Sequence, residues 1–360
     1  MDMNGLPESG DTAASLNRLR HCARQGFLKH AIPPHHGGYG NHFADLALAH
    51  EALGRSCQDC GLLLSLNAHL WGAVFPLLNY GTAQQQAAYL PRLLAGEWVG
   101  GHAITEPQAG SDLNALAMAA TQTAAGIVLN GHKRYITNAP IANVLVVYAR
   151  LESKLSVFLV HSDDAGAKFL DRPLVSGCRS ATMGDVILSD CLIPPTRQLG
   201  KTGAGNIMIQ QALELERAFI FAGLCGVMAW QLDCVVKFSR ERTVNGAHLG
   251  RNQAISHKIA DMKLRLDTIR LWVNQCARLK DGNKRITLAS AQTKLFAAEA
   301  FLQSSVDAVQ ILGSCGLLED NPMANLVNDA LASRLFSGSS EIQKNIIAAL
   351  LGTGEGYRQA

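Results

Sequence analysis

The chain has 360 residues, 48% hydrophobic and 17% charged, with a formal net charge of +3. This length and composition support a large buried core in two or three parts of one unit. The basic excess is too slight to argue for nucleic acid as a partner.

In chain order, Met1 to Thr12 is polar with no apolar core, so no signal peptide and a cytosolic location are expected. Arg18, Arg20, Arg24 and Lys29 form the densest basic stretch. It suits an acidic partner, although a solvated helix face is the plainer expectation. His35-His36 before Gly37-Gly38 reads as a turn. Cys57-Gln58-Asp59-Cys60 is the one CxxC. Without a second pair or a histidine at zinc spacing it predicts neither a metal nor a redox site. Nine scattered cysteines predict reduced thiols. Leu62 to Leu78 is apolar but interrupted by Asn67, His69 and Pro76, too short and broken to span a bilayer.

The patterning predicts three parts: a helical segment over 1–100, a β segment over 101–200 and a helical segment over 201–360. Asn79-Tyr80-Gly81 turns into a helix over Gln84–Leu94, and the β part ends at Ile193-Pro194-Pro195. From Gly203 the pattern is helical again. Ile259, Met262, Leu266, Ile269 and Val273 recur every three or four residues, the apolar stripe of a packed helix. No internal repeat or low-complexity segment is present.

The most informative stretch is Gly101-His102-Ala103-Ile104-Thr105-Glu106-Pro107-Gln108-Ala109-Gly110-Ser111-Asp112, answered by Tyr135-Ile136-Thr137-Asn138. Pro107 and Gly110 break regular structure, leaving the Thr105 and Ser111 hydroxyls on turn backbone where a polar ligand can meet them. Tyr135 lies in a Tyr-, Ile- and Val-rich run that reads as strand. A second constellation comprises Gln310-Ile311-Leu312-Gly313-Ser314-Cys315-Gly316, Asp320-Asn321-Pro322, Asp329-Ala330 and Phe336-Ser337-Gly338-Ser339-Ser340-Glu341-Ile342-Gln343.

These two sets, in this order and separation, resemble the two signatures of the acyl-CoA dehydrogenase family, and the likeness runs from about Leu19 to Gly352. The resemblance implies an N-terminal helical domain, a middle β-barrel-like domain and a C-terminal four-helix bundle, assembled as a homotetramer. It also implies non-covalent FAD and an acyl thioester substrate. Carried across, Thr105 and Thr137 bond the flavin edge, Tyr135 covers one ring face, and Ser111 touches the flavin or the pantetheine arm. Arg242, Gln253, Gln310 and Gly313 hold the pyrophosphate and adenosine of a flavin shared across subunits. Ser339 and Glu341 close the pocket. Departures at Val244, Asn245, Ser314 and Asn328 imply a weaker adenosine half, and the N-terminus is shorter than the family plan by roughly a helix.

Most of the family carries its catalytic glutamate where this chain has Ser337, and a hydroxyl has no useful basicity near pH 7. One branch, including isovaleryl-CoA dehydrogenases, places the base in a Leu-x-x-Glu-Arg helix instead. Leu213-Glu214-Leu215-Glu216-Arg217 matches it, which makes Glu216 the expected base and Arg217 its neighbour at the substrate. The apolar run Ala218 to Ala222 predicts a dry setting, and desolvation strengthens a carboxylate as a base. The same five residues also suit an ordinary amphipathic helix. Glu214, two residues away, points to another face.

Phe336-Ser337-Gly338-Ser339, Thr137-Asn138-Ala139-Pro140-Ile141-Ala142 and Ser65-Leu66-Asn67-Ala68-His69 narrow the likeness to prolyl-carrier-protein dehydrogenases of pyrrole-forming secondary metabolism. The expected partners are then an acyl or peptidyl carrier protein, or a CoA thioester, and an electron-accepting flavoprotein or oxygen. Alternatives are a dehydrogenase of a small or branched acyl-CoA, a flavin monooxygenase of the same fold and a non-catalytic paralogue.

Overall fold

The computed structural model describes residues 12–171, 175–318 and 321–354. The polar N-terminal stretch before Thr12 and the motif residue Asp320 lie outside them. Helices come first: α1 (Thr12–Arg24), α2 (Phe43–Cys57), α3 (Cys60–His69), α4 (Phe75–Tyr80) and α5 (Ala83–Leu94). Each start has a local cause. Asp59 caps α3 by accepting from the Leu62 N–H, and Thr82 with Gln85 forms a capping box at α5.

Two expectations change here. Arg18 is buried, 2.7 Å from Asp59, so the basic stretch is not a solvated face throughout. Asp59 is thereby helix cap and ion-pair partner at once, which gives the CxxC a structural purpose, and Cys57 and Cys60 remain free thiols. In addition, Asn67, His69 and Pro76 do not interrupt the apolar run. A π-helical turn, Leu70–Val74, joins α3 to α4 and absorbs the missing N–H of Pro76. Asn67 donates to the Leu63 carbonyl and accepts from Trp71, while His69 lies between the Leu93 carbonyl and the Gly100 N–H. Cys60–Tyr80 is therefore one long apolar helical stretch, 94% buried within the protein.

A seven-stranded sheet follows: β1 (Gly100–Ala103), β2 (Ala119–Thr123), β3 (Gly126–Thr137), β4 (Val144–Leu151), β5 (Lys154–His161), β6 (Ala167–Asp171) and β7 (Met183–Ile193). Its order is β1-β4-β2-β3-β7-β6, with β5 also on β4. β1 and β2 run parallel to β4, and the other pairs are antiparallel. Side chains alternate across a strand, and β4 shows it. Val144, Val146 and Tyr148 enter the main helical core, while Leu145, Val147 and Ala149 enter a second core on the other face.

The rest is helical. α6 (Gly205–Glu241) leads through the two-stranded hairpin β8 (Thr243–Val244) and β9 (Ala247–His248) into α7 (Gln253–Asp281), α8 (Thr287–Leu312), α9 (Pro322–Ser333) and α10 (Ser340–Leu350). Met262, Leu266, Ile269 and Val273 of the stripe are buried, with Ile259 packed at its edge. α2 lies so close to α6 that a Cβ on Gly54 would stand 1.9 Å from the Gly223 carbonyl oxygen. Asp329 of α9 accepts from the Cys178 N–H at 2.6 Å, tying helices to the β layer.

Candidate active site

Glu216 lies on α6 with 4% of its surface exposed. Ser337 Oγ donates to its Oε1 at 2.6 Å, while Oε2 has no hydrogen-bond partner among the described residues. His102 Nε2 stands 3.4 Å from Oε2. The vacant base position at Ser337 and the substitute at Glu216 thus meet in one place. Ser337 takes a left-handed conformation (φ 55°) in the loop between α9 and α10. That loop is clamped through its carbonyls: Arg217 Nε donates to Ser337 O at 2.9 Å, Gln343 Nε2 to Gly338 O at 2.8 Å, and buried Lys294 Nζ to Arg334 O at 2.8 Å. Burial pulls the Lys294 ammonium down to about 7.

Ser339 caps α10 by accepting from the Ile342 N–H. Glu341, exposed in the first turn of that helix, suits the positive end of its dipole. Glu214 accepts a hydrogen bond from Thr287 at the start of α8. It faces a separate cavity of about 450 Å³ between Tyr80, Gln211 and Lys284 that does not include Glu216. Volume alone therefore does not single out Glu216.

The first signature builds the neighbouring wall. His102 sits on β1, and Gly72 of the π-helical turn packs so tightly on this strand that a Cβ there would be 2.7 Å from the His102 nitrogen. Beyond β1 the Thr105 carbonyl accepts from the Arg134 N–H at 2.8 Å, laying this segment along β3. Glu106 is buried and saturated: Gln108, the Ala117 and Met118 N–H groups and Lys133 Nζ all donate to it within 3.0 Å. Burial works to raise its carboxyl, but Lys133 and the two amides outweigh that and hold it below the usual carboxylate range. A β-bulge between Lys133 and Ile136 lifts Tyr135 out of the sheet at φ 57°, leaving it 53% exposed with the Arg134 guanidinium over its ring. Thr105 and Thr137 are half-buried, and Ser111 is exposed on the bend after Gly110.

The other expected cofactor residues are elsewhere. Arg242 caps the far end of α6, 26 residues beyond Glu216, about 39 Å along the helix axis at 1.5 Å per residue. Gln253 opens α7, while Gln310 and Gly313 end α8; all four of these residues are exposed. α6, α7 and α8 alternate in direction, which brings these positions to one end of the bundle. A single chain does not bring them to Glu216. Asn245 and Gly246, both at positive φ, form the two-residue turn between β8 and β9. Asn-Gly is favoured in such turns, which accounts for this departure.

The near half fits a flavin. A bulky aromatic residue in the left-handed region is strained and needs a reason, and a half-exposed ring gains little from the core. Tyr135, 53% exposed, offers an aromatic ring to a planar heteroaromatic group. The far half lies apart, at the other end of α6.

Sequence reasoning missed two participants. His102 was visible as a lone titratable side chain in an otherwise small and apolar strand. Asn138, fully buried at φ 69°, donates to the Ser65 and Gly100 carbonyls and accepts from Ser65 Oγ, pinning β1 and β3 to α3. Its signal was the pairing of two motif words, Ser65 and Asn138, distant in sequence.

Comparison with known proteins agrees with this geometry. The chain matches the acyl-CoA dehydrogenase N-terminal domain over residues 7–97, the middle domain over 101–191 and the C-terminal domain over 203–352. It is 38% identical over 334 residues to an L-prolyl-[peptidyl-carrier protein] dehydrogenase of Pseudomonas fluorescens, covering 91% of this chain and 88% of that protein. It is 34% identical over 339 residues to the mouse mitochondrial short-chain specific acyl-CoA dehydrogenase, covering 93% and 82%. Among solved structures, the prolyl acyl carrier protein oxidase AnaB superposes with a TM-score of 0.92 at 32% identity, over 94% of this chain and 90% of that one. An FAD complex of PigA superposes with a TM-score of 0.91 at 31% identity, over 94% and 89%. With all three of the family's domains in order and a saturated Thr-Glu-Pro turn beside a half-open buried glutamate, the chain belongs to the acyl-CoA dehydrogenase family.

Proposed function

We propose that this protein is an FAD-dependent dehydrogenase of an acyl thioester, with a prolyl group on a peptidyl carrier protein as its substrate and Glu216 as its base. The observation that carries the proposal is the state of Glu216: buried, hydrogen-bonded on one oxygen by Ser337 and, among the described residues, without a hydrogen-bond partner on the other. Relatives named for prolyl carrier-protein oxidation, at 38% and 32% identity, support the substrate.

Bound FAD would supply the two-electron oxidising power for the reaction at Cβ. The chain supplies the rest. Glu216 Oε2 takes the α-proton in a site whose burial limits water around the carboxylate. Ser337 holds the other carboxylate oxygen, and Arg217 fixes the Ser337 backbone. Tyr135, Thr105 and Thr137 are assigned to the flavin ring, Ser111 to the flavin or the pantetheine arm, and Arg217 to the substrate side. Ser339 and Glu341 close the C-terminal wall.

The distance from Glu216 to Arg242, Gln253, Gln310 and Gly313 supports a cofactor shared between subunits of a homotetramer. The three-part division at 1–100, 101–200 and 201–360, the role in secondary metabolism and the cytosolic location belong to the same proposal. The nine free thiols suit a reducing compartment.

The test is anaerobic bleaching of the FAD-loaded protein by a prolyl-carrier protein and by a panel of acyl-CoAs. Bleaching by the prolyl carrier alone is expected. Bleaching by acyl-CoAs alone would move the substrate to a small acyl-CoA, in line with the short-chain relatives. No bleaching by any thioester would overturn the proposed activity.

A further inference from the structure

We propose that His102 is the proton-sharing partner of Glu216, receiving the proton that Glu216 removes and restoring the carboxylate inside the buried site. The inference rests on Glu216 being the base, as proposed above. Its own basis is a juxtaposition: His102 Nε2 is 3.4 Å from Glu216 Oε2, in ion-pair range but without the alignment of a hydrogen bond. Oε2 and His102 Nδ1 are both buried and without a hydrogen-bond partner among the described residues. Buried polar atoms left open in this way are rare enough to need an explanation.

The surroundings are built for the imidazole. Gly72 leaves the room that β1 needs beside the π-helical turn: a Cβ there would be 2.7 Å from the His102 backbone nitrogen and 3.0 Å from its ring Cγ. The π-helical turn Leu70–Val74 brings no titratable group. β4 pairs Val146 with His102. From α3, His69 is engaged by the Gly100 N–H and the Leu93 carbonyl, and burial pulls it down to about 4, so it stays neutral. α6 brings Glu216 and also Arg217, whose Nε is committed to the Ser337 carbonyl. On the C-terminal side Ser337 donates to the other oxygen of Glu216, and Lys294 of α8 is committed to the Arg334 carbonyl. β3, which also packs on β1, brings Lys133, committed to Glu106 and the Ile104 carbonyl. Among the described residues, Glu216 is thus the titratable group within ion-pair range of the His102 ring.

The step balances within the chain. The Cα–H bond breaks as an O–H bond forms on Glu216, and hydride leaves Cβ for the two-electron acceptor. The Oε2–H bond then breaks as Nε2–H forms, giving a carboxylate beside an imidazolium. The 3.4 Å between Oε2 and Nε2 gives the proton its path off the carboxylate. The imidazolium later releases its proton to solvent.

The test uses histidine labelled at ¹³Cε1 in the protein with FAD in excess, comparing wild type, His102→Phe and Glu216→Gln. His102→Phe identifies the resonance. Its chemical shift at pH 7 is expected to differ between wild type and Glu216→Gln. An unmoved resonance would overturn the pairing whether or not any thioester proves to be a substrate. In turnover, His102→Phe is expected to lose about tenfold in kcat and to move the acid limb of the kcat/KM profile. His102→Gln, which retains a polar side chain but cannot take the proton, should behave alike. A slower variant with an unmoved acid limb would show a merely structural histidine, as would wild-type turnover in either variant. If no thioester bleaches the wild type, the proposed activity fails on its own, and the resonance still decides the pairing.

Discussion

Two glutamates in this molecule, Glu106 and Glu216, are equally buried at 4% exposure and serve opposite ends. Glu106 accepts from two backbone amides, a glutamine and a buried lysine, so its charge is compensated in full. Glu216 has one hydroxyl donor and an oxygen with no hydrogen-bond partner. Burial by itself thus says little about chemistry. The count of satisfied lone pairs separates a carboxylate that holds a turn from one poised to accept a proton.

The largest expected effect breaks that comparison directly. Glu216→Gln should reduce thioester-driven bleaching by about 10³-fold or more, with a melting temperature at or above the wild type because a buried charge is removed. Glu106→Gln should do the reverse at first cause. Leaving Lys133 buried without its counter-charge costs about 3–5 kcal/mol, read from urea or thermal midpoints, with any loss of activity following the loss of folded protein.

Acidification probes the fold on the same scale. Burial pulls His50 and His69 down to about 4 from an ordinary value of 6.5. Below 6.5 the unfolded chain takes up protons that the folded chain does not, so stability present above that pH is lost as pH falls towards 4, by about 3 kcal/mol for each histidine. Urea midpoints at pH 7.0, 5.5 and 4.5 should show this slope, and His50→Leu should flatten it. Ser337→Ala sharpens the comparison from the other side. Losing the single donor to Glu216 is expected to change the rate by about tenfold while leaving the melting temperature within a few degrees.

Much of this architecture was legible in the sequence. The stripe from Ile259 to Val273 and the Pro107–Gly110 turn follow from periodicity and turn chemistry, and the two signatures named the family. Less legible were features that depend on through-space partners. Asn67 and His69 looked like interruptions because their hydrogen bonds run to Leu93, Trp71 and Gly100, and Pro76 because the π-helical turn before it is not read from pattern. Arg18 looked solvated because Asp59, its partner, is 41 positions away on another helix. His102 carried no motif weight, as its meaning arises only where β1 crosses α6. The separation of Arg242 from Glu216 needed the unbroken length of α6, which local patterning does not measure.

The most direct test is a single-turnover anaerobic bleaching experiment on Glu216→Gln beside Glu106→Gln and wild type, with prolyl-carrier protein as reductant. The predicted result is a yellow, folded Glu216→Gln protein that does not bleach, while the folded fraction of Glu106→Gln bleaches near the wild-type rate. Bleaching of Glu216→Gln at the wild-type rate would contradict the assignment of the base.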